Sequence, residues 1–288
     1  MNNQRMRNLQ KNNLMKKEFD QPLSLPPFKG RIQTAYNHPL FVQAISDCSR
    51  LLSNRDTEIL LDGRNRVGVV SLPQQEGKNV EIVIKEFRSR VVNRLKSLFL
   101  PGKAFKSWRG ALALLERGIE TPPPAAYLEK RKGLFLNQGF FLAERVSAVE
   151  EIRFLFPEFP PSELRRLLIS LSRYLFSCHK KGILHRDLSD GNILVKKDKP
   201  GEFRFYFLDT NRIRIKRRIG LLSRVKNLIR LGVPLDFQRF FLQHYLGTTR
   251  VKRFLWFWYR INKSSYTNFV KLKKKLRLRQ LARKLGIQ

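Results

Sequence analysis

Polar and apolar residues alternate with period two over 79–87, Asn-Val-Glu-Ile-Val-Ile-Lys-Glu-Phe, the pattern of a strand with one buried face. Upstream, Thr57–Leu61 leads into a turn at Asp62-Gly63. Val67–Leu72 follows, then a loop with Pro73 and Gly77, so 57–87 reads as sheet. Pro101-Gly102 breaks the pattern. Phe105, Trp108, Leu112 and Leu115 then recur at helical spacing up to Gly118, a C′ glycine. Thr121-Pro-Pro-Pro124 reads as a rigid linker. Two apolar runs, Ala125–Leu128 and Gly139–Val146, flank a hairpin loop at 130–138. Pro160-Pro161-Ser162 opens an amphipathic helix with Leu164, Leu167, Leu168, Leu171, Leu175 and Cys178 on one face. That helix ends at Gly182, with His179, Lys180 and Lys181 in a last turn where the dipole favours cations. A short strand at Ile193–Val195, a turn at Pro200-Gly201 and a strand from Phe203 to Leu208, ending on Asp209, come next. The remainder reads as helical.

This order predicts an α+β chain. Residues 1–27, polar, basic and closed by Pro26-Pro27, are expected to be a flexible tail or loose helix. Residues 28–147 make a small antiparallel β-sheet lobe with one helix, and 148–288 a mainly helical lobe. No repeat of 20–50 residues is visible.

Composition narrows the partner. The 288 residues are 42% hydrophobic, as in a globular chain, but 58 Lys and Arg face 23 Asp and Glu, a net charge of +35. Such a surplus favours an anionic partner: nucleic acid, an acidic membrane surface or a polyanionic substrate. No apolar run approaches the ~20 residues that span a bilayer. The basic N-terminus has no apolar segment of the secretory kind. Cys48 and Cys178 stand alone, so neither a disulfide framework nor a structural zinc site is expected, and a reducing cytoplasm suits the chain.

The chemistry concentrates in His185-Arg-Asp187-Leu-Ser-Asp-Gly-Asn192-Ile-Leu-Val195, between a helix and a strand, with Asp209 at the end of the next strand. Phosphoryl transfer needs one carboxylate to orient the attacking hydroxyl. It also needs an amide oxygen and a second carboxylate to hold Mg²⁺ on nucleotide phosphates. Asp187, Asn192 and Asp209 occur in that order. Lys85, mid-strand on a face with Val83 and Phe87, suits contact with the α- and β-phosphates of ATP. Asp62-Gly63-Arg64-Asn65-Arg66-Val67-Gly68 lacks GxGxxG spacing, and reads either as a phosphate-covering turn at Gly63 and Arg64 or as an ordinary hairpin. No carboxylate lies between Phe87 and Leu115 to pair with Lys85; Glu116, at the helix end, either substitutes or the pair is missing. Glu144 lies where the lobes join, at backbone suited to an adenine edge, or is a solvated strand end.

At these residues the chain resembles the protein-kinase-like superfamily, and more narrowly the lipopolysaccharide core kinases, the Kdo/WaaP family of Gram-negative bacteria. The resemblance runs over roughly 55–250. It is carried by Val83–Phe87, Trp108–Gly118 with Ile119 and Thr121-Pro122, His179–Leu188, Asn192–Val195, Leu208–Arg212, Val225–Leu228 and Phe240–Tyr245. It implies a two-lobed kinase fold and ATP- and Mg²⁺-dependent phosphorylation of a heptose or Kdo hydroxyl of the inner core, on the cytoplasmic side of the inner membrane. It also implies Asp187 as catalytic base, Asn192 and Asp209 as metal ligands and Lys85 as an ATP contact. Three departures stand out. Thr210-Asn211 follows Asp209 in place of Phe-Gly. Ser189 stands where serine/threonine protein kinases place a lysine. Arg212, Arg214, Lys216, Arg217 and Arg218 run where an APE motif is expected.

The departures argue against a peptide acceptor. The alternatives are a kinase of the same fold acting on a protein or another small alcohol, and a non-catalytic module binding anionic membrane. Residues 210–288 hold 22 Lys or Arg and a single acid, Asp236. That favours a phosphate- and carboxylate-bearing glycolipid over nucleic acid, for which no recognition module is present. The run Lys271–Arg279 with Leu281 and Leu285 reads as a basic helix for peripheral membrane contact or as a solvated terminal helix. Phe254–Tyr259 nearby reads as core packing or as interfacial aromatics.

Overall fold

The computed structural model describes residues 20–74, 77–88, 100–199 and 201–275. They fall into two compact units: one of residues up to Arg109 with Pro123–Arg145, the other of Gly110–Pro122 with the residues from Val146 on.

The first unit is built on a seven-stranded sheet in the order β1-β2-β6-β7-β5-β4-β3. The strands are β1 Asp20–Leu25, β2 Phe28–Gln33, β3 Glu58–Asp62, β4 Asn65–Pro73, β5 Asn79–Arg88, β6 Pro124–Lys132 and β7 Phe135–Glu144, and all neighbours are antiparallel. The period-two pattern of β5 puts Ile82, Ile84 and Glu86 on one face and Val83, Lys85 and Phe87 on the other. Ile82 and Ile84 are fully buried with Ile32, Phe140 and Leu142, under two short helices, α1 Pro39–Ala44 and α2 Cys48–Ser53. Local chemistry starts both helices. Pro39 opens α1 behind His38, whose Nδ1 accepts from the Phe41 N–H, and Asp47 caps α2 by accepting from the Arg50 N–H at 2.9 Å. The expectation of one helix in this lobe is therefore corrected: α1 and α2 precede α3, Lys103–Leu115.

The tail expected over 1–27 is corrected as well. Residues 20–25 form β1, because Leu23 is buried and Asp20 makes a two-pronged ion pair with Arg31 at 2.8 and 2.9 Å. An edge strand buries little, so its sequence reads as polar. Residues 1–19 lie outside the described residues. The loop expected at 130–138 shrinks to a tight turn at Gly133-Leu134, and Pro124 opens β6. On the second face of the sheet, Phe105 and Trp108 of α3 meet the Tyr127 ring. Glu129 accepts from the Phe105 N–H at 3.1 Å, and burial raises its carboxyl above the usual range.

The second unit has β8 Val149–Glu151, α4 Ile152–Glu158, α5 Pro161–Lys180, β9 Ile183–His185, β10 Ile193–Lys199, β11 Glu202–Phe207, β12 Ile213–Ile215, α6 Leu221–Asn227, α7 Gln238–Leu246 and α8 Arg253–Lys275. Strands β11-β10-β8 make a small sheet and β12-β9 a two-stranded ribbon. The apolar stripe read for α5 is buried throughout, from Leu164 to Cys178. Gly182 follows the helix with φ +76, and a Cβ there would sit 2.0 Å from the Lys216 carbonyl oxygen. Pro200, half of the turn expected at 200–201, lies outside the described residues, as do residues 276–288 and with them the last four positions of the basic run at 271–279.

His179 departs from its reading as a helix-end cation. It is buried between the Tyr245 hydroxyl, 2.6 Å from Nδ1, and Asn227 Oδ1, 3.0 Å from Nε2, and burial lowers its pKa to about 4. The ring is neutral: the tyrosine donates to Nδ1, and Nε2–H donates to the asparagine oxygen. Unfolded, the same imidazole takes a proton near pH ~6.5. Stability should therefore fall as pH drops from that value towards 4, the window in which only the unfolded chain binds the proton. Urea titrations should show His179→Gln losing less stability over this window, by about 1.4 kcal/mol per pH unit relative to the parent chain. Equal slopes would mean that the ring is charged in the fold.

Candidate active site

The predicted catalytic loop lies between β9 and β10, and backbone bonding holds both sides of it. β9 pairs with β12, Ile213 opposite His185, and β10 pairs with β11, Ile193 opposite Phe207. Inside the loop the Ser189 N–H donates to Asp187 O at 2.8 Å and the Asn192 N–H to Ser189 O at 3.0 Å. The Arg186 N–H reaches Arg212 O at 3.1 Å.

Leu208, the residue before Asp209, is tied to the loop through both its backbone groups. Its N–H donates to Asn192 O at 3.0 Å, and its carbonyl accepts from His185 Nε2 at 2.8 Å. The other ring nitrogen, Nδ1, accepts from the Asp187 N–H at 3.1 Å. This assignment requires a neutral imidazole, and burial lowers the His185 pKa accordingly. One buried ring thus fixes the backbone at Asp187 and the backbone leading to Asp209.

Asn192 has its amide nitrogen engaged inside the loop, donating to Asp187 O at 2.8 Å and to Ser189 Oγ at 3.1 Å. Its amide oxygen is the end that can ligate a cation. Asp209 adopts the left-handed conformation, φ 50 and ψ 46, which aspartate tolerates better than most residues. The next residue is packed from above: Gly110 of α3 lies so close that a Cβ there would be 2.0 Å from Thr210 O. The second unit thus brings together Asp187, Asn192 and Asp209. Among the described residues no group of three or more His, Cys, Asp or Glu gathers around one point. One carboxylate and one amide oxygen nonetheless suit Mg²⁺, which keeps waters and takes its remaining ligands from phosphates.

Two contributors are not read from the sequence as site residues, although Asn227 lies in the Val225–Leu228 segment that carries the resemblance. Arg230, in the 3₁₀ turn Leu228–Arg230, donates from Nη1 to Asp187 Oδ1, with both side chains about a third exposed. Asn227 donates to His185 O at 2.9 Å while its oxygen meets His179. They lie 43 and 42 residues downstream of their partners, so only the fold reveals them.

The first unit holds the other predicted site residues. Lys85 is central in the sheet, opposite Val67 of β4 and Phe141 of β7, with its Nζ 5.5 Å from the Phe87 ring centre. Gly63 and Arg64 are the two residues joining β3 to β4; the Gly63 N–H donates to Asn65 O at 3.1 Å, and Arg64 is exposed. Glu144 ends β7. Its N–H donates to Pro123 O at 2.8 Å and its carboxylate accepts from the Tyr36 hydroxyl, so it is not a solvated strand end. Glu116, in the second unit just after α3, pairs with Arg117 at 3.7 Å.

A family model described as the lipopolysaccharide kinase (Kdo/WaaP) family matches residues 61–244. The lipopolysaccharide core heptose(I) kinase WaaP of Pseudomonas aeruginosa is 25% identical over 136 residues, 44% of this chain and 51% of that protein. The chain thus spans about half the length of this relative. A solved structure of WaaP in complex with acyl carrier protein matches with a TM-score of 0.54 at 20% identity, covering 76% of this chain and 92% of that one. The α+β fold is shared with that structure. The matched segment contains the Lys85 strand, the catalytic loop and Asp209, and on that basis the chain belongs to the lipopolysaccharide kinase (Kdo/WaaP) family.

Proposed function

We propose that this protein is an ATP-dependent kinase that phosphorylates a sugar hydroxyl, on heptose or Kdo, of the lipopolysaccharide inner core. The observation that carries this reading is the constellation of Asp187, Asn192 and Asp209, locked by the His185 and Leu208 bonds. Asp187 orients the acceptor hydroxyl and takes its proton. Asn192, through its oxygen, and Asp209 hold Mg²⁺. When bound, that cation neutralises negative charge on the nucleotide phosphates. Lys85 contacts the α- and β-phosphates, the hairpin tip at Gly63 and Arg64 covers them, and the Glu144 backbone receives the adenine edge through its carbonyl.

The acceptor class follows from charge. Arg212, Arg214, Lys216, Arg217 and Arg218 are exposed directly after the metal-ligand strand. They are suited to an acceptor bearing phosphates and carboxylates, and ill suited to a cationic one. We further propose that the enzyme works at the cytoplasmic face of the inner membrane, held there peripherally by α8. No described helix is long and apolar enough to cross a membrane. On α8, Phe254, Phe257, Ile261, Phe269 and Leu272 are exposed at helical spacing, beside exposed Arg253, Arg260, Lys271, Lys273 and Lys275. Leu255 and Tyr259 face the core instead. An apolar stripe edged by cations is the pattern of an interfacial helix.

Four outcomes are expected. Purified protein with labelled ATP, Mg²⁺ and core-truncated lipopolysaccharide should transfer label. Asp187→Asn should lower transfer by about 10²–10⁴-fold while ATP binding persists; equal rates would remove Asp187 from its role. Gly110→Ala must displace the Thr210 backbone, so turnover should fall by up to about a hundredfold with the fold retained. Circular dichroism would verify folding, and undiminished turnover would show that Asp209 does not depend on this contact. Finally, the protein should sediment with vesicles containing phosphatidylglycerol and not with neutral ones, and the triple change Phe254→Ser, Phe257→Ser and Phe269→Ser should weaken that association. Equal sedimentation of parent and triple variant would sink the α8 assignment.

A further inference from the structure

We propose that Arg230 is a catalytic residue that supplies, beside Asp187, the positive charge that Ser189 leaves missing from its loop position. This rests on the kinase reading and extends it. Ser189 occupies the loop position that holds a lysine in related serine/threonine kinases, and here its hydroxyl is engaged as an acceptor for the Asn192 amide. Position 189 therefore presents no cation, and the loop's one basic residue, Arg186, is exposed. Arg230 enters that place from a distant segment, with Nη1 on Asp187 Oδ1.

The segment is built to hold it there. Lys263 of α8 donates to Ile229 O at 3.2 Å and to Leu231 O at 2.8 Å, the two carbonyls that flank Arg230. One turn further along α8, the Tyr266 ring lies 5.1 Å from the guanidinium carbon. Lys263 is partly buried, and burial lowers its ammonium below the ordinary lysine value while the Asp190 carboxylate opposes that shift. Its two charge-assisted bonds to backbone carbonyls offset the desolvation and tie down the chain on both sides of Arg230. Asp190 itself lies against Gly232, where a Cβ would be 2.3 Å from Oδ2, so both flanks of Arg230 are fixed.

In the transfer, a bond forms between the acceptor oxygen and the γ-phosphorus. The bond from that phosphorus to its bridging oxygen breaks, and the electron pair leaves with the nucleoside diphosphate. The hydroxyl proton passes to Asp187. Negative charge spreads over the three outer phosphoryl oxygens, one hydrogen-bonded group away from Asp187. A guanidinium anchored on that carboxylate offers its remaining N–H groups to those oxygens in a planar fork.

The test is steady-state kinetics with ATP and core-truncated lipopolysaccharide. Arg230→Gln should lower kcat by about 10²–10³-fold, while KM for the acceptor changes less than about threefold. Arg230→Lys should fall between the two. Added guanidinium ion should partly restore Arg230→Ala, and Ser189→Lys placed in the Arg230→Gln chain should regain at least about tenfold by returning a cation to the loop. Thermal unfolding midpoints close to the parent's would show that the variants are folded. An Arg230→Gln kcat within about threefold of the parent would overturn the proposal, as would a rise in acceptor KM alone. A loss that neither guanidinium nor Ser189→Lys restores would mean a structural role and would overturn it too. Parent enzyme that transfers no label would sink the kinase reading, and this proposal with it.

Discussion

The geometry of the candidate site depends on one neutral imidazole. His185 donates from Nε2 to Leu208 O and accepts at Nδ1 from the Asp187 N–H. A protonated ring carries two donors and cannot accept, so the second bond would be lost with the charge. Burial prevents this, because moving an imidazolium out of water is unfavourable. The histidine of the His-Arg-Asp sequence is therefore an organiser of backbone. Its effect reaches Asp187 directly and Asp209 through Leu208, whose N–H is simultaneously held by Asn192 O.

A second buried histidine supports the first. His179, near the end of α5, donates to Asn227, and Asn227 donates to the carbonyl of His185. The Tyr245 hydroxyl completes the chain by donating to His179. These groups sit among apolar residues where an unmatched polar atom costs about 1–3 kcal/mol, so each bond is needed by its neighbours. The relay links α5, α6 and α7 to β9. The helical core and the catalytic loop therefore share one hydrogen-bonded network.

The sequence revealed what depends on local pattern. Period-two alternation located β5, the leucine stripe located α5, and the spacing of Asp187, Asn192 and Asp209 pointed to phosphoryl transfer. It concealed what depends on context. β1 looked like tail because an edge strand with one buried leucine has little hydrophobic signal. The helices α1 and α2 are too short to display a periodic stripe, although Pro39 and Asp47 mark their starts. His179 looked like a helix-end cation because only the packing of Tyr245 and Asn227 around it reveals its burial. Arg230 is one basic residue among 22 in its region, and nothing but the chain's path singles it out.

That last point sharpens the meaning of the charge. The net +35 is not one uniform field. Lys263 is turned inward onto backbone carbonyls, and Arg230 onto a carboxylate. The five cations between Arg212 and Arg218 remain at the surface, as do those beside the apolar stripe of α8. Solvent and salt screen surface cations over about 8–10 Å, so the field of such a group is confined to its neighbourhood. Arg230, with its side chain about a third exposed and its Nη1 on Asp187, is held at one point instead of acting as part of a diffuse surface charge. Both kinds of cation occur on α8: Lys263, with Tyr266, faces the Arg230 segment, and the outer face presents exposed basic and apolar residues. The stretch of α8 that holds the Arg230 segment thus also carries exposed apolar and basic residues on its other side.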